Sequence, residues 1–317
     1  MTAFHKSLVT ASLPHRAQQV LRSGYRRLGT FKSQASATFT LLARTARLIS
    51  PARLASRKEL LVLPSAAYAR GLFSAFASVL GLLEHYDNWR DRYAGIRVDF
   101  GIEGLYYDPS AGDNWWQYFF EPIDRGTEQN APRTIVSEDE HFYFARRVET
   151  TMLRERGFAL IDRYIRPRAR ILEKVDEYAR ANFADAFVIG IHYRGTDKLA
   201  DAPRVPYEQV REAIRGAITV AAPARYKLFV ATDEQAFLDY MLDLFPGKLH
   251  YLWMYRSVDG RPIDVKQGDN RRKGEDAVLD CLLLSRCQYL VRTASNLSLC
   301  STLFNPAVPV VHLNREA

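Results

Sequence analysis

Seven consecutive residues, His192-Tyr193-Arg194-Gly195-Thr196-Asp197-Lys198, bring an imidazole, a guanidinium, a hydroxyl, a carboxylate and an ammonium into one short segment. Arginine offers a rigid fork to phosphate oxygens, and lysine adds a point charge. Arg194 and Lys198 are therefore candidates to hold an anionic, phosphorylated ligand and to stabilise a departing diphosphate as its charge grows. A surface ion pair with Asp197 or Asp201 is the alternative. Asp280 is a carboxylate in an otherwise apolar helix, between Leu279 and Cys281. Burying it is costly unless it is paired. Guanine, with two adjacent N–H donors, would pair it; a helix-face ion pair with Lys273 or Arg286 would also do so. Thr293-Ala294-Ser295-Asn296 joins a strand end to a helix start, where hydroxyls and free backbone N–H groups form an anion site. Simple N-capping by Ser295 is the plainer role. Asp233 stands at another strand end, as a ligand-facing carboxylate or as a helix cap.

The elements that must position these groups are legible in the hydropathy pattern. Ala186 to Ile191 is a short β-branched run bounded by polar residues, the mark of a buried parallel strand. From there the chain alternates: strand 186–193, helix 206–221, strand 226–231, helix 234–244, strand 249–253, helix 273–287, strand 288–292, helix 296–303, strand 308–312. Such alternation predicts a parallel sheet covered on both faces. Ligands of open α/β sheets bind at the carboxyl ends of the strands, where the candidate residues fall. Upstream, strand 60–63, helix 71–85 and strand 96–100 precede a polar and aromatic stretch through Pro132, and helical periodicity runs over 150–181.

These segments carry a resemblance. His-x-Arg-x-Thr-Asp-Lys after a strand is similar to the donor-binding motif of the α1,6-fucosyltransferases, the nodulation fucosyltransferases of rhizobia among them. Ala231-Thr232-Asp233-Glu234, Val278-Leu279-Asp280 with Leu284-Ser285-Arg286-Cys287, and Tyr289 to Asn296 follow in that family's order. Asn114 to Pro122 resembles one of its aromatic segments. The likeness spans roughly residues 60 to 312. It implies an α/β fold of GT-B type, with two Rossmann-like lobes facing a cleft. It also implies a glycosyltransferase that moves L-fucose from GDP-fucose by inverting, metal-independent displacement, with no resident cofactor. On the same basis Arg194 binds the donor diphosphate, His192 and Asp280 contact the nucleotide, and a carboxylate near Asp201, with Lys198, activates the acceptor hydroxyl. The family often has a second arginine in the motif where this chain has Gly195. Trp115, Trp116, Tyr118, Phe119 and Phe120 are expected in the core, with sugar stacking as the alternative. Glu121 is a weaker acceptor-side candidate.

The first 60 residues hold 11 of the 44 Lys and Arg but only one acid, Glu59, so the net charge of +8 belongs to an N-terminal arm. The remainder is slightly acidic, which argues against nucleic acid as a partner. The expected organisation is a basic arm over 1–58, an acceptor-side lobe over 59–165 and a donor-binding lobe over 166–317. Basic amphipathic faces in the arm, such as Leu41, Leu42, Leu48 and Ile49 opposite Arg44 and Arg47, suit peripheral contact with an anionic membrane. No apolar run reaches the ~20 residues needed to span a bilayer. Three unevenly spaced cysteines and no zinc-like spacing fit a reducing cytoplasm. The expected partners are a GDP-sugar and a glycan or lipid-linked oligosaccharide acceptor, as in bacterial polysaccharide synthesis. Two other readings stay open on the residues alone. One is a phosphohydrolase using Asp233 and Asp280 around a metal; the other is a non-catalytic nucleotide- or glycan-binding module.

Overall fold

The computed structural model describes residues 58–65, 71–101, 105–125, 131–196, 203–260 and 269–314. They belong to one compact unit, which begins at Arg57 and is separate from residues 1–56. Two sheets organise it. The first comprises β1 (Glu59–Pro64), β2 (Tyr93–Asp99), β3 (Asp124–Arg125) and β4 (Arg133–Ile135), in the order β3-β2-β1-β4. β1 pairs in parallel with both β2 and β4, and β3 runs antiparallel at the edge. Helix α1 (Leu72–Asn88) makes the crossover from β1 to β2. It is buried almost all round, as its run of Leu, Phe, Ala and Val dictates.

The second sheet comprises β5 (Phe187–Tyr193), β6 (Tyr226–Thr232), β7 (Leu249–His250), β8 (Tyr289–Arg292) and β9 (Val310–His312). All its pairings are parallel, in the order β7-β6-β5-β8-β9. This is the doubly wound order in which the chain builds outward from β5 to one side, then crosses back to build the other. Helices α5 (Tyr207–Ala221) and α6 (Gln235–Leu244) cover the face lined by Ile189, Ile191, Leu228, Val230 and Val291. Helices α7 (Asn270–Ser285) and α8 (Asn296–Phe304) cover the other, and their core is continuous with that of the first sheet.

Between the sheets lie α2 (Glu138–Thr150), α3 (Arg154–Tyr164) and α4 (Ala169–Asn182). Three boundaries differ from expectation. The helical segment expected at 150–181 is broken before α3 at Met152–Leu153 and again before α4 at Pro167, whose ring cannot continue a helix. Ahead of it, α2 is closed by a capping box: Ser137 Oγ accepts from the Glu140 N–H, and the Glu140 carboxylate accepts from the Ser137 N–H at 2.7 Å. Strand 249–253 stops at His250, because residues 251–256 arch around the buried Arg256 side chain, and pairing returns only in the single bridge of Ser257 to Glu234. α7 starts at Asn270, where the Asp269 carboxylate accepts from the Arg272 N–H at 2.9 Å.

The aromatic segment 115–120 is core. Trp116 stacks on Phe120 at 4.4 Å between centroids and packs against Phe76 of α1, and Trp115, Tyr118 and Phe119 are also buried. Their surfaces are not available to a sugar. No helix among the described residues is long and apolar enough to cross a membrane.

Candidate active site

In the doubly wound sheet, the strand order reverses between β5 and β8, so the connections leaving these two strands diverge and open a crevice at their carboxyl ends. His192-Tyr193-Arg194 ends β5, and Arg292-Thr293-Ala294-Ser295 ends β8. The two loops are tied across the crevice. The Thr293 N–H donates to the His192 carbonyl at 3.0 Å, and the Arg194 N–H donates to Thr293 Oγ1 at 2.9 Å. Thr293 thus fixes the backbone from which the Arg194 side chain projects.

A third loop completes the brace. The Asp233 carboxylate, at the end of β6, accepts from the Gly195 N–H at 3.1 Å and from Thr196 Oγ1 at 2.7 Å. Its Oδ2 also lies 3.9 Å from Arg194 Nε. Asp233 does not cap α6; Glu234 occupies the cap position, with no side-chain cap bond. Gly195 is demanded by packing. A Cβ there would lie 1.9 Å from Glu234 Oε2 and 2.8 Å from Tyr193 Cε1. The nearly buried Glu234 carboxylate in turn holds Arg204, at 2.6 Å. A second arginine at position 195 would have to displace that pair.

His192 is buried, and its Nδ1 has no hydrogen-bond partner. Burial, followed by the nearby Arg194 and Arg292 guanidinium groups, pushes its pKa down to about 3. The ring is therefore a neutral hydrogen-bonding group at ordinary pH. Arg292 is its register partner on β8 and is itself buried, with Nη2 donating to the Ser295 carbonyl at 3.4 Å.

Helix and strand spacing put Asp280 near the level of His192. Gly190, on the same face of β5, lies against Leu284 and Cys287 of the α7 end. One helical turn back from Leu284 is ~6 Å, and two residues onward along β5 is ~6.6 Å. The Asp280 carboxyl is buried, with Oδ1 unpartnered. Burial raises its pKa to about 8, against the partly compensating charge of Arg256. Of the two helix-face partners considered from sequence, Arg286 is engaged elsewhere, pairing with Asp176 at 2.7 Å. Arg256 is also buried, and its Nε has no partner.

Ser295 is the N-cap of α8, its hydroxyl accepting from the Leu297 N–H at 3.3 Å, so its plainer role is filled. Glu121 pairs with Arg168 at 2.8 Å. Asp197, Lys198 and Asp201 lie outside the described residues. Arg292, Arg256 and Glu234 are the site-lining groups that sequence reasoning did not assign. Arg292 could have been found, because it follows an apolar strand and pairs in register with His192. Arg256 carries no local signal, since only the fold brings it to Asp280.

The arrangement can bind a nucleoside diphosphate: cations at a topological switch point, a helix N-terminus beside them, and two buried polar groups without partners near one level. Among the described residues no three His, Cys, Asp or Glu side chains gather as a metal-binding group. Asp233 and Asp280 do not form one with a third such residue.

The fold is α/β and GT-B-like, with two sheets. Solved structures share it. NodZ α1,6-fucosyltransferase co-crystallised with GDP aligns with a TM-score of 0.54 and 20% identity, over 81% of this chain and 95% of that chain. The same enzyme soaked with GDP-fucose gives 0.53 and 20% over the same shares. NodZ from Bradyrhizobium, in selenomethionine form, gives 0.54 and 19%, also over 81% and 95%. At this identity the likeness is one of fold. No protein-family model matches the chain, and no curated protein sequence matches it.

Proposed function

We propose that this chain is a glycosyltransferase that moves a sugar, L-fucose in the best-supported case, from a GDP-sugar to a glycan or lipid-linked oligosaccharide acceptor. The reading extends to an inverting displacement that needs no metal and no resident cofactor. One observation carries it: His192 Nδ1, next to Arg194 at the β5/β8 switch point, and Asp280 Oδ1, on the helix that covers that sheet, are both buried without protein partners. A buried unpaired polar atom costs free energy, and a ligand that pairs it recovers that cost. Guanine supplies the N–H donors that a carboxylate at Asp280 would accept. Arg194 and the α8 N-terminus are suited to the diphosphate. The fold relatives' complexes with GDP and GDP-fucose support the same donor class.

Within this reading Arg194 stabilises the leaving diphosphate, with Lys198 as a second cation. Asp233 and Thr293 hold the Arg194 loop, and Ser295 adds a hydroxyl at the α8 N-terminus. Asp201 is the proposed base for the acceptor hydroxyl. The domain assignment that goes with it is a donor-binding lobe over 166–317 and an acceptor-side lobe over 59–165. The arm over 1–58 gives peripheral contact with a membrane from the cytoplasmic side.

The test is a thermal-shift screen with GDP, UDP, ADP and CMP. A ligand at 100 times its Kd stabilises by about 2.7 kcal/mol, which such a screen registers. GDP alone should shift the transition, and GDP-fucose should turn over only with an acceptor. An equal response to all four nucleotides, or metal-dependent phosphate release without acceptor, refutes the proposal.

A further inference from the structure

The loop after β7 is built as a rigid display. Arg256 turns inward and donates to the Leu252 carbonyl at 2.8 Å and to the Met254 carbonyl at 3.3 Å, with its guanidinium 5.3 Å from the Tyr251 ring centroid. The far end is pinned by backbone: the Ser257 N–H donates to the Asp233 carbonyl, and the Gln235 N–H to the Ser257 carbonyl, both at 2.8 Å. Between these anchors Trp253 is 84% exposed and Tyr255 65% exposed, and Val258 follows at 83%. Large aromatic side chains held in water by a fixed backbone mark an interaction surface.

Its place in the fold says what it meets. Asp233, which receives the end of this loop, is the residue whose carboxylate braces Gly195 and Thr196 beside Arg194. The loop leaves the carboxyl edge of the same sheet, and adjacent strands are ~4.8 Å apart, so β7 lies ~10 Å from β5. That is the scale of one or two sugar residues.

We infer that Trp253 and Tyr255 form a sugar-stacking subsite for the glycan acceptor, beyond the residue that reacts. The inference rests on the proposed transferase reading and adds to it a place for the acceptor. Aromatic faces carry negative quadrupole density, which suits the C–H face of a pyranose ring. An anionic lipid surface is the wrong partner, because Arg256 is buried and Asp259 is the exposed charge of 251–260. The aromatic segment 115–120, the earlier candidate for stacking, is occupied by the core.

The test uses the full-length chain on a printed array of oligosaccharides, read with and without GDP, comparing wild type with Trp253→Ala/Tyr255→Ala and with Trp253→Phe. Both side chains are exposed, so the substitutions leave the core packed, and unchanged melting curves check this. The double variant should lose about tenfold in affinity for the glycans that wild type binds, the order expected of two aromatic contacts. Trp253→Phe should retain most of the binding, and the GDP thermal shift should be the same in all three. A wild type that shifts with GDP but binds no glycan, or a double variant that binds like wild type, overturns the subsite and leaves the donor reading standing. Loss in the double variant of sedimentation with phosphatidylglycerol vesicles, or of self-association, overturns it in favour of a lipid or a second copy. Glycan binding lost in the double variant without any GDP shift in wild type supports the subsite and sinks the donor reading instead.

Discussion

Replacing Asp280 by Asn tests the donor reading most sharply, because it moves binding and stability in opposite directions. The carboxyl group is buried on α7, with Arg256 and Asp276 as its charged neighbours, and its pKa lies at about 8. At pH 7 roughly a tenth of the free protein then has Asp280 ionised, so a ligand that needs the carboxylate binds about tenfold more weakly than its intrinsic affinity. GDP affinity should rise about tenfold between pH 6 and pH 7 and level off above about pH 8. Binding at pH 7 should release close to one proton, which calorimetry in two buffers of different ionisation heat counts. His192, with its pKa near 3, stays neutral throughout and adds no slope. In Asp280→Asn the pH slope should shrink to the part that GDP's own terminal phosphate contributes near pH 6, and at pH 8 GDP should bind about 10- to 150-fold more weakly, the value of hydrogen bonds to a charged acceptor. Stability follows the opposite sign. The folded carboxyl keeps its proton up to about pH 8, whereas the unfolded one, at its ordinary value of 3.8, has already lost it. The folded state binds more protons, so stability falls as pH rises through that window. The Asn variant escapes this loss, and its Tm without ligand should exceed that of wild type by more at pH 8 than at pH 5. A wild-type GDP affinity that is flat from pH 6 to pH 8, or normal GDP binding by the variant at pH 8, refutes the reasoning.

Arg194→Ala should fold normally and lose about 3–4 kcal/mol of transition-state stabilisation; unchanged kcat/KM for GDP-fucose would remove Arg194 from the site. Asp233→Asn keeps one acceptor for the Gly195 and Thr196 donors but loses the charge facing Arg194, so donor KM should rise with a smaller change in kcat. Equal kcat and KM would show that the brace is dispensable. Asp201→Asn should lower kcat by about 10²–10⁴-fold with GDP affinity preserved, the range of a lost general base. A near-normal kcat moves the base elsewhere. Deleting residues 1–58 should leave GDP binding intact and weaken sedimentation with anionic vesicles, each surface Lys or Arg being worth about 1 kcal/mol; equal sedimentation of both chains assigns the arm another role.

The doubly wound half was legible because its strands obey one rule. Buried parallel strands are near-continuous apolar runs, and 187–191, 228–231 and 289–291 are short apolar runs, each ended by a polar residue and too short for a helix of ordinary length. The first half hid more. α2 begins Glu138-Asp139-Glu140-His141, a polar start that masks its buried face of Phe144, Ala145 and Val148. The Ser137/Glu140 capping box was its one clear signal. β7 could not be bounded from sequence, because Tyr251 to Tyr255 has strand-like composition and is bent only by Arg256 beneath it. For the candidate site, types and spacing singled out His192, Arg194, Asp233 and Asp280. They did not show that Asp233 and Thr293 spend their hydrogen bonds on the Arg194 loop, since those partners are 37 to 99 residues away along the chain.

The same geometry decides which chemistry His192 can do. An imidazole at a strand end beside the proposed phosphate-binding arginine invites the role of proton acceptor. A general base works best with a pKa near the operating pH, and His192 is held near 3 by burial and by the flanking Arg194 and Arg292 guanidinium groups. Taking a proton there would bury a third positive charge among two, so the ring is suited to accept or donate a hydrogen bond at constant charge. The cations that depress it are the ones that a diphosphate would neutralise. When such an anion binds, the electrostatic part of the depression relaxes while burial remains, and the ring stays neutral. On the proposed reading the base is therefore a carboxylate reached from outside the strand ends. The acid limb of the rate profile should then follow a carboxylate and persist in His192→Gln, whose amide keeps one hydrogen-bonding group at the strand end.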